Sequence, residues 1–530
     1  PVPFLVGVDR AFMRHSTDYE SPDSRPDSSL RTYLPVTVVG VLVGLCFFAA
    51  SATAPRPGEG NAIVSLSAPQ PTTSLSAKWP WPWGTPAKSH PHEVVGLPDL
   101  PFLAQDLKMF AGFLPTNKDK PELDSHLFYW LLESEAGDRK KETPLILWLN
   151  GGPGASSLTG VLMENGPIRM ELDGSISWNP YGWTKVGHML AVDQPVGAGF
   201  SYTKSEPSDK FKGEVDGPGY INNLDEMAEQ LYEVISGVVE QHEWLKDCPL
   251  YITGESYAGK YIPMISYYIH MKNKAAGKKL VNLEGIAIGN GEVKPFLAYS
   301  STPDYLHALG YLDDDQLEWA HKGLAKCKEY VDKEDWAGAL KACDEDMQGV
   351  MYAKYVQVPF IYDVRAKIDM FTSLTAKVTA WINKPEVHAA LNVGKFPWRQ
   401  SDGQGPGAQG KPVPEHLRNE QMRPINDTVL VTLMENYQFM FYSGQFDGSA
   451  CNFYATKRML DALEWKGKDA YMKTERSVWK VGSAAAGYFK GDVAGFSFLL
   501  VSNSGHLVPT DQPENALDMI SRFIEKQPFD

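Results

Sequence analysis

The residues with the clearest chemical meaning are Gly254-Glu255-Ser256-Tyr257-Ala258-Gly259, which follow directly on the apolar run Leu250 to Thr253 and lead into a helical pattern. A strand, a sharp turn and a helix in that order make the elbow on which a serine hydroxyl is presented as a nucleophile, and small flanking residues permit the tight turn. The string is one step off Gly-x-Ser-x-Gly, with Ala258 where the second glycine would stand. Taken alone it also describes an ordinary turn, so a catalytic Ser256 needs partners elsewhere. A serine requires a base and a group that orients the base, and on such a sheet they follow in the chain order Ser, Asp, His. The run Phe439 to Tyr442 leads into Ser443-Gly444-Gln445-Phe446-Asp447, and Phe496 to Val501 leads into Ser502-Asn503-Ser504-Gly505-His506. Of the 12 histidines, only His506 follows an apolar run so late in the chain. Ser256 as nucleophile, His506 as base and Asp447 as orienter would perform nucleophilic catalysis. The segment Asn150-Gly151-Gly152-Pro153-Gly154 places bare N–H groups at another strand end. Glycine lets a backbone approach an oxyanion closely, and the residue after the nucleophile supplies a second donor, so Gly152 and Tyr257 are the expected oxyanion hole.

These residues need elements to hold them. The runs Leu145 to Leu149, Met189 to Val192, Leu250 to Thr253, Ile286 to Ile288, Phe439 to Tyr442 and Phe496 to Val501 read as strands, with helical patterns between them. Such alternation predicts an α/β fold, a mostly parallel central sheet with helices on both faces, and ligands at the carboxyl ends of its strands. The span from Gly289 to Gln438 is far longer than one crossover requires. Within it, Asp314 to Lys328, Glu334 to Ala342 and Thr372 to Ile382 read as helices, so 295–380 is expected to be an inserted helical cap dividing the core into 94–294 and 381–530. Residues 402–414, rich in Gly, Pro and Gln, are expected to be a flexible loop open to cleavage.

Composition excludes several classes of function. Lys plus Arg number 50 against 65 Asp plus Glu, a net charge of −15 that repels phosphate backbones, and no basic cluster offsets it. Nucleic acid is not an expected partner. A metal is not expected either: the 5 cysteines form no C-x-x-C pair, and His90-x-x-Glu93, the sole H-x-x-E string, lies in a Pro-rich segment rather than on a rigid element. No cofactor is required. The uncharged run 33–54 ends in Ala-x-Ala patterns and predicts a signal peptide or, by its length, a single membrane anchor. Residues 55–93, which include Trp79-Pro80-Trp81-Pro82-Trp83, read as a linker or propeptide. Both point to the secretory pathway, as does the sequon at Asn426; in an oxidising compartment Cys327 and Cys343 can bridge, while Cys248 and Cys451 are left open.

Several strings together resemble the serine carboxypeptidases, exopeptidases of the α/β-hydrolase fold that act in acid. They are Trp148-Leu149-Asn150-Gly151-Gly152-Pro153-Gly154, Glu164-Asn165-Gly166-Pro167, Asp193-Gln194-Pro195 with Gly197, Gly199, Phe200, Ser201 and Tyr202, Gly254 to Gly259, and Gly505-His506-x-Val508-Pro509-x-Asp511-Gln512-Pro513. The resemblance covers 94–530 and implies the same Ser256, His506 and Asp447. It further implies that Asn150, Glu164, Glu255 and the Gly151 N–H hold the free carboxylate of a peptide's last residue, and that Thr159, Met163 and Leu507 wall the pocket for its side chain. The implied partners are peptide or protein C-termini, in a lysosome- or vacuole-like compartment or outside the cell. Three departures stand out: Ala155 where the family has a cysteine, Gln445 in place of an acid, and Ser-Asn-Ser-Gly before His506. Acyltransferases of similar sequence remain an alternative, although many of them carry Asp where this chain has Glu255. A non-catalytic binding protein on the same fold is another.

Overall fold

Leu145–Leu149 is apolar at every position and buried throughout, the mark of a strand covered on both faces rather than half-exposed. Its residues alternate between two separate cores. Leu145, Leu147 and Leu149 enter one cluster, whereas Ile146 and Trp148 enter the other. Each apolar run picked out above lies in a strand, and the sheet they form is the frame of the molecule. The computed structural model describes residues 88–137, 139–203, 219–401, 412–493 and 495–529, all within one compact unit. The run 33–54, the Pro-rich stretch up to 87 and residues 402–411 lie outside the described residues. Among the described residues no helix is long and apolar enough to cross a membrane.

In chain order the strands are β1 (Met109–Thr116), β2 (Ser125–Leu132), β3 (Leu145–Leu149), β4 (Ile168–Met170), β5 (Ile176–Trp178), β6 (His188–Asp193), β7 (Leu250–Ser256), β8 (Leu283–Gly291), β9 (Gln438–Gly444), β10 (Ser477–Val481), β11 (Ala484–Val493) and β12 (Phe496–Val501). Ten of them form one sheet in the order β1-β2-β6-β3-β7-β8-β9-β12-β11-β10, and β4 pairs with β5 apart from it. The six central strands, β6 to β12 in that order, run parallel. The outer pairs are antiparallel. The sequence reading did not single out those outer strands, although β2 contains the buried apolar run Leu127 to Leu132. Helices α1 (Leu158–Met163), α2 (Leu224–Gln241) and α3 (Ala258–Ala276) follow. α2 and α3 cover one face, while α1 and the last helix, Pro513–Glu525, cover the other.

Between β8 and β9 lie α4 (Pro295–Ala308), α5 (Asp314–Val331), α6 (Trp336–Leu340), two π-helical segments (Lys341–Gly349 and Tyr352–Val356) and α7 (Met370–Ile382). The expected single helix Glu334 to Ala342 is thus split, α6 passing into a wider π-helical turn. Asp313 starts α5 through a capping box with Gln316. Cys327 on α5 bridges to Cys343 on the π-helical segment, inside a third cluster that α4, α5 and α6 share. α7 packs instead in the second cluster, through Leu374, Val378 and Trp381. Residues 88–93, read from sequence as the end of a linker or propeptide, run beside β1 in part, since the Ala111 N–H donates to His92 O at 2.7 Å and Glu93 forms a β-bridge with Phe110. Backbone donors and acceptors left along the edge of β1 draw that segment onto it. Cys248 and Cys451 are free thiols, both buried.

Candidate active site

Ser256 ends β7 with φ +64°, a left-handed conformation that costs a residue bearing a Cβ about 1–2 kcal/mol. The strain is held by close packing. A Cβ on Gly254 would lie 2.1 Å from Leu149 O, and one on Gly151 would lie 2.4 Å from Tyr257 N. Glycine at both positions lets the Asn150-Gly151-Gly152 loop press against the elbow, so the expected oxyanion donors Gly152 and Tyr257 belong to two loops in contact. Ala258 in place of a second glycine is accommodated, fully buried, as the first residue of α3.

His506 arrives from the loop after β12. Its Nδ1 lies 2.7 Å from Asp447 Oδ2, and its backbone N–H donates to Tyr362 O at 2.7 Å. A ring that donates Nδ1–H to a carboxylate leaves Nε2 as the proton acceptor. Asp447 is fully buried, and its charge is met by three donors. Besides His506 they are Asn290 Nδ2 at 2.8 Å and the Ser449 N–H at 2.9 Å. Asn290, at the end of β8 with φ +39°, also accepts from the Gly444 N–H at 3.0 Å. Sequence reading missed it; the only trace was an asparagine between two glycines at a strand end. Among the described residues no hydrogen bond joins Ser256 Oγ to His506. Serine–histidine bonds of this sort commonly tighten only with substrate in place.

Beside the elbow, Asn150, Glu164 and Glu255 meet below the surface, each at most 4 % exposed. Asn150 Oδ1 accepts from Trp148 Nε1 at 2.9 Å and from the Gly160 N–H at 3.0 Å. Its orientation being fixed, Nδ2 donates to Glu255 Oε1 at 3.1 Å and to Glu164 Oε1 at 3.3 Å. Glu164 Oε2 has no hydrogen-bond partner among the described residues. Burial raises the titration of both carboxyls, and the charge of Glu164 raises Glu255 further, so the pair keeps a proton well above the usual carboxylate range.

Ser256, His506, Asn150, Gly151, Gly152, Glu255, Thr159 and Leu507 all line one cavity of about 390 Å³. Met163 does not line it. That side chain is packed in the second cluster, and its carbonyl accepts from Thr510 Oγ1 at 3.0 Å. Phe360, Tyr362, Phe371, Gln400 and Gln421 are also in the wall, none of them foreseen from sequence. Phe360 stacks on Phe371 at 6.0 Å, and the Tyr362 ring lies 4.8 Å from that of His506. Of the departures noted above, Ala155 forms a bridge with Ser401, and Gln445 Oε1 accepts from the Asn503 N–H at 3.4 Å.

Asn290→Ala removes the one side-chain amide that holds Asp447. Loss of a hydrogen bond to a buried charge predicts a kcat about 10 to 100 times lower with KM little changed, measured by steady-state kinetics. An unchanged kcat would show that His506 and Ser449 suffice to orient Asp447.

The sequence and the fold have known counterparts. A profile of the serine carboxypeptidase family matches residues 98–526. The Homo sapiens protein named probable serine carboxypeptidase CPVL is 31 % identical over 440 residues, covering 81 % of this chain and 86 % of its own. The venom serine carboxypeptidase of Apis mellifera is 32 % identical over 434 residues, covering 80 % and 85 %. The crystal structure of Kex1, a prohormone-processing carboxypeptidase from Saccharomyces cerevisiae, superposes with a TM-score of 0.70 over 82 % of this chain and 96 % of that one, at 21 % identity, and shares the fold. The family match spans the whole sheet and the cavity built on it, and this chain belongs to the serine carboxypeptidase family as a serine-type carboxypeptidase, a hydrolase.

Proposed function

We propose that this enzyme releases single C-terminal residues, hydrophobic ones in preference, from peptides at acid pH through an acyl-enzyme. The observation that supports it most is the placing of Ser256, His506 and the protonated Glu255 in one cavity. In this reading Ser256 Oγ attacks the last peptide carbonyl while His506 Nε2 takes its proton. The oxyanion rests on the N–H groups of Gly152 and Tyr257. His506 then gives the proton to the departing amine, leaving the acyl group on Ser256, and water activated by the same imidazole releases it. Asp447 holds the ring and stabilises its charged form. The carboxylate of the leaving residue sits against Asn150, the Gly151 N–H, Glu164 and Glu255. Residues 295–380 serve as the cap, carrying Phe360, Tyr362 and Phe371 to the cavity wall. The Cys327–Cys343 bridge suits an oxidising compartment on the secretory route, and an acidic lumen suits the glutamate pair.

Replacing the nucleophile tests the core of the reading. Ser256→Ala should lower release of C-terminal amino acids on the order of a thousandfold or more while leaving the thermal unfolding midpoint little changed. A variant that kept most of the wild-type turnover would remove Ser256 from the mechanism.

The glutamate pair sets the sign of the pH dependence. Below its raised titration range the pair holds a proton and donates to the substrate carboxylate; as pH climbs through that range the proton leaves and a negative charge faces another. kcat/KM for free-acid peptides should therefore decline toward neutrality, and decline less for C-terminal amides or esters. Identical profiles for both substrate types would eliminate this role.

The cavity lining bears on the residue released. Phe360, Phe371, Leu507 and Thr159 offer no charge, and the sole ionisable carboxyl in the lining is Glu255. An unpaired cationic side chain there costs at least about 1–3 kcal/mol, so C-terminal Leu or Phe should leave on the order of tenfold faster than Lys. The comparison is kcat/KM on otherwise identical peptides, and faster release of Lys would reverse the assignment.

A further inference from the structure

Away from the cavity, three histidines meet at one edge of the sheet. His90 and His92 belong to the segment that leads into the core, and His242 follows α2. The His90 ring lies 4.8 Å from that of His242 and 5.9 Å from that of His92, and the ring of Phe110 on β1 packs against His242 at 4.5 Å. Gly112 makes room for the group, since a Cβ there would lie 2.9 Å from the His92 ring. Main-chain bonds hold the segment to β1, from the Val94 N–H to Met109 O at 2.9 Å and from the Ala111 N–H to His92 O at 2.7 Å. β1 is the outermost strand at this end of the sheet, so these bonds cover an edge.

The rings are arranged as neutral imidazoles. His90 Nδ1 accepts from the His92 N–H at 3.1 Å, and a proton on that nitrogen would turn the acceptor into a donor and break the bond. Tyr129 gives its hydroxyl proton to Gln241 Oε1 at 3.1 Å, so its oxygen accepts from His92 Nδ1 at 2.9 Å, and His92 Nε2 is where a second proton would go. His242 is 3 % exposed, and its Nε2 has no partner among the described residues. Two cations flank the rings: Lys88 on the segment itself, and Arg139 after β2, whose guanidinium lies over Trp244 at 4.8 Å. The nearby acids are engaged or in solvent. Glu133 accepts from Arg139 Nε at 3.2 Å, Glu93 accepts from Ser89 Oγ at 2.8 Å and also feels Lys108, and Glu240 and Glu243 are exposed. His188 stands behind, its ring 4.7 Å from that of Trp244. A proton added to this group therefore meets buried rings and positive charge.

We propose that residues 88–93 form a strap that acid releases from β1, baring the strand edge and freeing the junction between the Pro-rich stretch and the folded core. Burial, and then the charges of His90 and Lys88, keep His92 below the ordinary imidazole range, and burial with His90, Arg139 and His92 lowers His242 to about 4. Once the strap leaves, the rings meet water and return toward their ordinary value of 6.5. Attachment is thus fully favoured above about 6.5 and loses that advantage as pH falls from there toward about 4. A fold that is held shut by neutral histidines opens on entry to an acidic compartment.

Hydrogen exchange of the full chain at about pH 7 and about pH 5, corrected for the intrinsic pH dependence of amide exchange, tests the strap. In wild type the protection of the Val94 and Ala111 amides should fall on the order of tenfold or more, while the amides of β3 and β7 stay protected. His242→Phe keeps a ring against Phe110 but takes no proton, and the amide oxygen of His90→Gln can still accept from the His92 N–H. The two changes together should remove most of the fall. Equal protection at both pH values overturns the proposal. So does a fall that persists undiminished in the double variant, or one shared by β3 and β7, which would be general acid unfolding. The wild-type comparison needs no variant, so poor folding of the double variant does not shield the proposal. Peptide hydrolysis is not part of the readout, and the outcome is independent of the carboxypeptidase reading.

Discussion

Two carboxyl groups, Glu164 and Glu255, lie side by side, each only 3 % exposed, with one amide, Asn150, bridging them. Neither can be fully charged there, because burial and mutual repulsion both oppose it. The surrounding structure is arranged to hold that unfavourable pair in place. Trp148 and Gly160 fix the face of Asn150, so its amide nitrogen has no choice but to address the acids. Glu255 is also the neighbour of Ser256 in the chain, which ties the carboxyl pair to the strained elbow. A shift in β3 relative to β7 would disturb the nucleophile and the acids together, and the glycine contacts between the two loops oppose such a shift.

The parallel centre of the sheet explains how residues far apart in sequence share one cavity. β3, β7, β8, β9 and β12 all end on the same edge. The residues just past those ends are Asn150, Ser256 itself, Glu292, Asp447 and His506, in spatial order across the sheet. That order gives the site a direction, with the acid pair to one side of Ser256 and the imidazole system to the other. The contact of β9 with the histidine loop is especially tight, since a Cβ on Gly444 would fall 1.7 Å from Gly505 O. Asp447 and His506 are thus brought together by main-chain packing before their side chains interact. Tyr362, by accepting from the His506 N–H, joins the inserted helical region to the same loop.

Much of this was legible without coordinates. Continuous apolar runs ending in Gly, Asn or Asp mark parallel strands because both faces are buried and the chain must turn at the top. Ser256, Asp447 and His506 could be picked out because each stands just past such a run. Gly151, Gly152 and Gly254 announced close backbone approach. Asn290 sits past a run as well, yet an amide between glycines has too many ordinary explanations to single out.

What the sequence by itself determined is therefore local: which segments are strands, where the tight turns fall, and which chemical groups end up at strand ends, all set by periodicity and steric allowance over a few residues. The tertiary structure alone decided which side chains face one another across those ends. Met163 reads as a pocket wall but turns into the core, because α1 presents Thr159 to the cavity and Met163 to the second cluster. Phe360, Tyr362 and Phe371 come from a region with little strand or motif signal, and reach the cavity through the packing of α7 and the segment before it. Cys248 and Cys451 are both buried and unpaired, whereas Cys327 and Cys343 meet because α5 and the π-helical segment pack face to face. Burial, and with it the retention of a proton by Glu164 and Glu255, is a property of everything packed around a group, and no window of sequence contains that.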